Sequence, residues 1–436
     1  MVIRINSAAV SLFRLSARLV LAALLVGIVA ACAENVAVDP PAGEGASVDT
    51  SSVDGQVFSA AEEDLYLARF ERMIEAFSSG GSITSIYDTM DQVPGDSSPV
   101  LLGRKLGEGL SESARSKIIS YVEARNSSAL IVVKGGDVIL EAYFGSYDQD
   151  DKLNGKSLAK PLSVIAVGRA IMAGHIDSLD QPASDFIEEW KDTPKEVITI
   201  RQLLGMRSGL EAQSGGPTPD HIMNRAYLHP RHDEIIINEY PLKNVPGERY
   251  DYSNANAELI APIIQRATGR DYASWVSTEI IQKLNAGGGD IWLNRTGGTA
   301  HSGCCILLPA ETFAKIGLLV MRDGVWEGEQ LLPKGYADAM RQGAAENIHA
   351  GLGLYLGHPY KEYRGANNPD SDPFPTYHSE PYARDDLYLF DGNSNQVVYM
   401  IPSEDLLILR LGATPSKEQP WDNAILPNMV LEALSE

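Results

Sequence analysis

Gly155-Lys156-Ser157-Leu158-Ala159-Lys160-Pro161-Leu162-Ser163-Val164-Ile165-Ala166 is the stretch on which the reading of this chain turns. From Ser157 to Gly174 the apolar residues Leu158, Leu162, Ile165, Ala166, Ile171 and Met172 recur at helical spacing, which predicts a helix beginning near the serine. Residues three apart share a helix face, so Lys160 brings its amine beside the Ser157 hydroxyl. Pro161 is tolerable because the first turn's N–H groups lack intrahelical partners anyway. Ser157 is thereby expected at the positive end of a helix, where backbone donors favour negative charge developing on a nucleophile or an attacked carbonyl oxygen. This is a pattern suited to acyl transfer.

Working outward, 92 residues beyond Lys160 stands the chain's only Tyr-x-Asn, Tyr252-Ser253-Asn254. It follows the turn signal Pro246-Gly247 and precedes a second helical pattern from Ala255 to Thr268-Gly269. Upstream, Ala129 to Lys134 and Val138 to Phe144 flank Gly135-Gly136-Asp137 and read as a hairpin. Strand patterns return at Leu387 to Pro402 and Leu406 to Leu411. Strands at both ends with helices between imply an α+β fold, an antiparallel sheet closed by distant segments around an inserted helical lobe.

These motifs resemble those of the serine β-lactamase-related family, especially its class C, esterase and 6-aminohexanoate-dimer hydrolase branch. Gly174 to Pro182, Ile198 to Leu210, Phe313 to Leu319 and Asp323-Gly324-Val325-Trp326 are similar to the family's turns and helices, and the resemblance runs from about Ser128 to Gly412. It implies a β-lactamase-like fold and a cofactor-free reaction. Ser157 would be the nucleophile, Lys160 or Tyr252 its base, Tyr252 the acid for the leaving group, and Asn254 an orienting group. The family's third motif, Lys or His, then Thr or Ser, then Gly, falls at Phe390-Asp391-Gly392. Its cation is missing, which removes a grip on a substrate carboxylate. Gly392 remains, and the N–H of Asn393 would join that of Ser157 as an oxyanion hole. His301-Ser302-Gly303 fits the third motif literally, yet it precedes Cys304-Cys305 and a helical pattern at Ala310 to Met321.

Residues 1–31 read as a secretory leader: Arg4, Arg14 and Arg18 precede an uncharged apolar run from Leu19 to Ala31, too short to span a bilayer. Val29-Ala30-Ala31-Cys32 resembles a bacterial lipobox, implying a lipid on Cys32 and an envelope location facing the periplasm, at the outer membrane. Residues 32–60 then form a flexible stalk rich in small, acidic and proline residues. Residues 61–126 are an N-terminal extension with an amphipathic helix from Glu62 to Phe77, and 127–436 the hydrolase domain.

Losing the leader's three arginines takes the formal charge from −22 to −25, which argues against nucleic acid or an anionic membrane surface as partner. Membrane contact is expected only through the lipid anchor, and the oligomeric state is left open. Beyond Cys32 only Cys304 and Cys305 remain, so no disulfide framework is expected. His229-Pro230-Arg231-His232 lacks the register and third ligand of a zinc hydrolase and reads as a loop, so no metal or cofactor is expected.

The expected partner is a small-molecule ester or amide. Rival readings are an α/β-hydrolase elbow at Gly155-Lys156-Ser157-Leu158-Ala159, a catalytically silent envelope binding module, and a true β-lactamase or DD-peptidase.

Overall fold

The structure, a computed structural model, describes residues 58–79, 83–213, 216, 218–365 and 375–436. The leader, Cys32 and most of the stalk read from the sequence lie outside the described residues. No described helix is long and apolar enough to cross a membrane.

The run Ser127-Ser128-Ala129-Leu130-Ile131-Val132-Val133-Lys134 is apolar on both faces, as a strand covered on both sides must be. It forms β2 (Ser127–Lys134) at the heart of a seven-stranded sheet. The other strands are β1 (Gly103–Arg104), β3 (Asp137–Tyr143), β4 (Tyr355–Leu356), β5 (Tyr388–Gly392), β6 (Gln396–Ile401) and β7 (Leu406–Gly412), in spatial order β4-β5-β6-β7-β2-β3-β1. Leu409 pairs with Ile131 and Ile408 with Val132, so the chain's late strands close on its early hairpin. Every pairing in this sheet is antiparallel except β1 with β3. That edge departs from the all-antiparallel expectation because β1 enters from an earlier segment, free of the tight turn that makes hairpin partners antiparallel.

Alternation along the strands divides the core in two. Ala129, Ile131, Val133, Val398, Met400, Leu407 and Leu409 face an inner core with α3 (Ala159–Met172) and α6 (Ala310–Met321). Leu130, Val132, Val397, Tyr399, Leu406 and Ile408 face an outer core with α2 (Glu112–Glu123) and α7 (Ile425–Ser435). Each fully buried Leu or Ile is worth about 1.5–3 kcal/mol, so both layers are energetically substantial. The inner layer approaches most closely at Gly317 of α6, where a Cβ would stand 2.8 Å from Leu407 Cδ1 and 2.9 Å from Val398 Cγ1. The sequence is also apolar around the whole of α3, and the helix is accordingly buried on nearly every side, running between sheet and helical lobe.

The lobe holds α4 (Asn254–Glu258) and α5 (Ile260–Thr268), together with other short helices, among them Ile200–Leu204, Ile222–Leu228 and His232–Asn238. Thr199 and Gln202 form a capping box at the start of Ile200–Leu204, and Gly269, with φ of 71°, ends α5 in the left-handed conformation that glycine tolerates best. Ahead of the sheet, α1 (Ala60–Ser79) docks on this lobe. Its buried Arg69 bonds Asp88 and donates to the carbonyls of Leu228 and Asn294, tying α1 down with charge-assisted hydrogen bonds. No parallel sheet of the kind an α/β-hydrolase elbow requires exists among the described residues.

Candidate active site

Close packing and an unusual backbone angle shape the turn that carries Ser157. A Cβ on Gly155 would stand 2.4 Å from Phe313 Cζ, so only glycine lets the turn close on α6. Lys156 follows with φ of 52°, a left-handed conformation uncommon for a residue with a side chain. Asn154 Oδ1 holds it there by accepting the Lys156 N–H at 2.8 Å. The chain then passes through the 3-10 turn Lys156–Leu158 into α3, which places Ser157 where a short strand ends and a helix begins.

One turn on, Lys160 is 6 % exposed. Its Nζ donates to Gly303 O at 2.7 Å and Asn254 Oδ1 at 2.8 Å, and lies 3.2 Å from Ser157 Oγ. The Tyr252 hydroxyl is 3.0 Å from Ser157 Oγ, and Lys160 Nζ stands 4.9 Å from the Tyr252 ring centre. Two of the lysine's positions are thus committed to carbonyl-type acceptors that can only receive a proton. The third points at Ser157, where either an N–H or a lone pair faces the serine. Ser157, Lys160 and Tyr252 can therefore share one mobile proton.

Asn254 opens α4, and the preceding loop is braced by Gln213. The Gln213 N–H donates to Tyr252 O at 2.6 Å, while its Oε1 accepts the Asn254 N–H at 3.2 Å. Beneath the loop, Ser253 Oγ meets the Tyr240 hydroxyl at 3.2 Å.

On the opposite side, β5 ends at Gly392. A Cβ there would lie 3.1 Å from Gly155 O and 3.3 Å from Ser157 N, so the strand's last residue rests on the turn that carries Ser157. Asn393 follows, exposed at the start of the β5–β6 turn. Phe390 points into the inner core at 1 % exposure. A cation does lie nearby. Arg364, 3 % exposed, bonds Asp391 and has its Cζ 3.9 Å from the Tyr355 ring centre. Burial pushes the Asp391 carboxyl up while Arg364 pulls it down.

His301-Ser302-Gly303 forms the wall behind Lys160 rather than a strand of the main sheet. Ser302 Oγ donates to Ala257 O and accepts the Ala261 N–H, and Ser302 O accepts from Ser163 Oγ at 2.6 Å. The structure thus sets Gly392 against Ser157 and Gly303 against Lys160. His229 and His232 diverge, the first toward Phe58 and Tyr66 of the N-terminal segment, the second toward Glu258 and His301.

The next two residues correct an expectation: Cys304 and Cys305 are joined as a vicinal disulfide. Successive side chains of an extended segment point apart, but Cys305 has φ of 71°, which breaks that alternation.

Sequence reasoning missed Gln213, Arg364 and the Gly303 carbonyl. Gln213 and Arg364 stand in no motif, and a carbonyl carries no residue-type signal at all.

The β-lactamase family profile matches residues 114–301. A 6-aminohexanoate-dimer hydrolase of Paenarthrobacter ureafaciens is 24% identical over 253 residues, 56% of this chain and 64% of that protein. The protein flp of Staphylococcus aureus strain MRSA252 is 25% identical over 169 residues, 36% of this chain and 33% of its own. The chain therefore spans less than two thirds of the length of these curated relatives. Among solved structures, a Bacillus anthracis protein assigned as a 6-aminohexanoate-dimer hydrolase superposes with a TM-score of 0.63 at 18% identity, covering 80% of this chain and 91% of that one. EstCE1, a hydrolase with promiscuous acyltransferase activity, gives 0.54 at 14% identity, covering 74% and 99%. The profile and the curated relatives support a serine β-lactamase-related family, and the solved structures share its fold.

Proposed function

We propose that this protein is a serine hydrolase that cleaves a neutral carboxylester or amide through an acyl-enzyme on Ser157. The observation that carries the proposal is the position of Ser157 Oγ, 3.0 Å from the Tyr252 hydroxyl and 3.2 Å from Lys160 Nζ. As Ser157 attacks the carbonyl carbon, its proton passes to the Lys160–Tyr252 pair. Tyr252, the less buried of the two, returns it to the departing alcohol or amine, and water then releases the acyl group by the same route reversed. The N–H groups of Ser157 and Asn393 are the proposed oxyanion donors, with Gly392 allowing the strand to approach. Asn254 and the Gly303 carbonyl keep the lysine aimed. Membership of a hydrolase family, and relatives that include a 6-aminohexanoate-dimer hydrolase, support the reaction class.

The substrate class follows from charge. Phe390 offers none, and the Arg364 charge is matched by Asp391, so this wall presents no net cation to an acidic substrate. A second reading rests on one observation. Arg364 Nε and Nη1 have no hydrogen-bond partner among the described residues, which would suit a carboxylate such as that of a β-lactam. A substrate panel separates the two: short acyl esters, aminohexanoate-type amides and a chromogenic cephalosporin, assayed with wild type, Ser157→Ala and Lys160→Met. Turnover of ester or amide, lost by at least about 10³-fold in both variants, is the expected result. A phosphonate probe labelling Ser157→Ala as well as wild type would remove the nucleophile assignment, and full activity in Lys160→Met would remove the base pair.

A further inference from the structure

Behind Lys160 lies a group of buried polar side chains that acyl transfer leaves unused. His232 opens the helix His232–Asn238, Glu258 closes α4, and His301 precedes the Ser302-Gly303 wall. None is more than 1 % exposed, and one ligand atom from each lies within 4.8 Å of the others. Glu258 Oε2 stands 3.6 Å from His232 Nε2 and 3.5 Å from His301 Nδ1. Both separations are too long for hydrogen bonds, and no side-chain nitrogen or oxygen of the three residues has a hydrogen-bond partner among the described residues.

So many unpaired donors and acceptors in one buried place carry a large desolvation penalty. The surrounding charges are committed elsewhere. Arg69, which lies over the Trp292 ring, bonds Asp88 and two backbone carbonyls. Asp233, beside His232, accepts from Thr299 Oγ1 and from Asn294 Nδ2.

We propose that His232, Glu258 and His301 form a binding site for a first-row divalent cation, Zn²⁺ by ligand type. Two imidazoles and a carboxylate are a donor set that zinc accepts, and bonds of about 2.0–2.1 Å put tetrahedral ligand atoms about 3.3–3.4 Å apart, close to the two histidine–glutamate separations. The ion would neutralise Glu258 and occupy one lone pair from each residue. The two imidazoles are stacked, ring centres 4.1 Å apart and planes inclined by 14°, while each lone pair lies in its own ring plane. One ring must therefore turn for both to reach one ion. Trp292 holds His301, stacked on it at 3.9 Å, whereas His232 can turn without giving up a hydrogen bond. The site is structural and closed to substrate, yet its ligand His301 is two residues from Gly303, whose carbonyl receives the Lys160 N–H.

The test is metal content. Purified protein loaded with Zn²⁺ and dialysed against metal-free buffer is expected to retain about one equivalent by mass spectrometry, and folded Glu258→Gln less than about a tenth of that. Chelation of wild type should lower the melting temperature by several degrees, with recovery on adding Zn²⁺ but not Mg²⁺. Wild type that retains less than about a tenth of an equivalent, or that melts identically with and without Zn²⁺, overturns the proposal. So does a folded Glu258→Gln that keeps the full equivalent, since the ion would then sit elsewhere. If Glu258→Gln does not fold, the wild-type melting comparison decides alone.

Discussion

Two triplets ending in glycine face each other across the candidate site, Phe390-Asp391-Gly392 and His301-Ser302-Gly303, and they meet it through opposite halves of the peptide group. Gly392 offers space, so that a strand edge can lie against the Ser157 N–H. Gly303 offers a carbonyl, the shortest of the contacts to Lys160 Nζ. In both triplets the first side chain is buried away from the nucleophile, Phe390 in the inner core and His301 against Trp292. The triplet that better matches the expected motif by letters is the one farther from the serine. A motif's residue types therefore say less here than the strand that carries them: β5 runs into the nucleophile turn, whereas His301-Ser302-Gly303 lies outside the main sheet.

The comparison predicts unequal damage. Gly392→Val forces branched carbon into a space where even a Cβ would be 3.1 Å from Gly155 O and 3.3 Å from Ser157 N. Displacing that turn by a fraction of an ångström would misalign the proposed nucleophile and the proposed oxyanion donors together, so kcat/KM should fall by roughly 10²-fold or more while the fold persists by circular dichroism. Near-wild-type kinetics for Gly392→Val would show that β5 does not form the oxyanion wall. Gly303→Ala is expected to be milder. Its Cβ meets Glu258 Oε1 at 2.9 Å and the Ala257 Cβ at 3.1 Å, pressing the carbonyl off line from Lys160 without touching Ser157. The expected signature is a kcat reduced by roughly tenfold with KM little changed, because the lysine is mis-aimed and the substrate wall is intact. A larger loss than that of Gly392→Val would invert the ranking of the two walls.

What the sequence made legible follows the same division. The hairpin at β2 and β3, the late strands, α6 and the helix after Ser157 were readable because burial writes a period of two or 3.6 into the chain. Ser157, Lys160, Tyr252 and Asn254 were readable because their side chains meet the site and their spacing is local to two motifs. Gln213, Arg364 and the cluster of His232, Glu258 and His301 were not. They converge from separate segments, and no local periodicity records a meeting between residue 232 and residue 301. The Cys304–Cys305 bridge was missed for another reason: extended geometry forbids it, and only the left-handed backbone at Cys305, invisible in composition, permits it.

The smallest effect concerns the support of the Gly303 wall, since α1 reaches it through Arg69 over Trp292, the ring stacked on His301. Docking of α1 should depend on pH. Glu62 is pulled down to about 2, chiefly by the hydrogen bond from Arg231, and Glu63 is lowered chiefly by Arg225. Burial and then Arg225 push His229, which lies against Phe58 and Tyr66, down to about 4. All three values are depressed in the docked state, so the undocked state binds protons more readily, and docking is favoured most above the free values. On acidification the His229 contribution is lost first, as pH falls from about 6.5 toward 4, and those of Glu62 and Glu63 follow below about 4.5. Hydrogen exchange corrected for intrinsic rates should show α1 amides losing protection between pH 7 and pH 4.5 while β2 amides keep theirs. His229→Gln should flatten the upper part of that profile. Protection of α1 that stays level across this range would mean that the helix is held by Arg69 and apolar packing alone, and that acid reaches neither wall of the site through it.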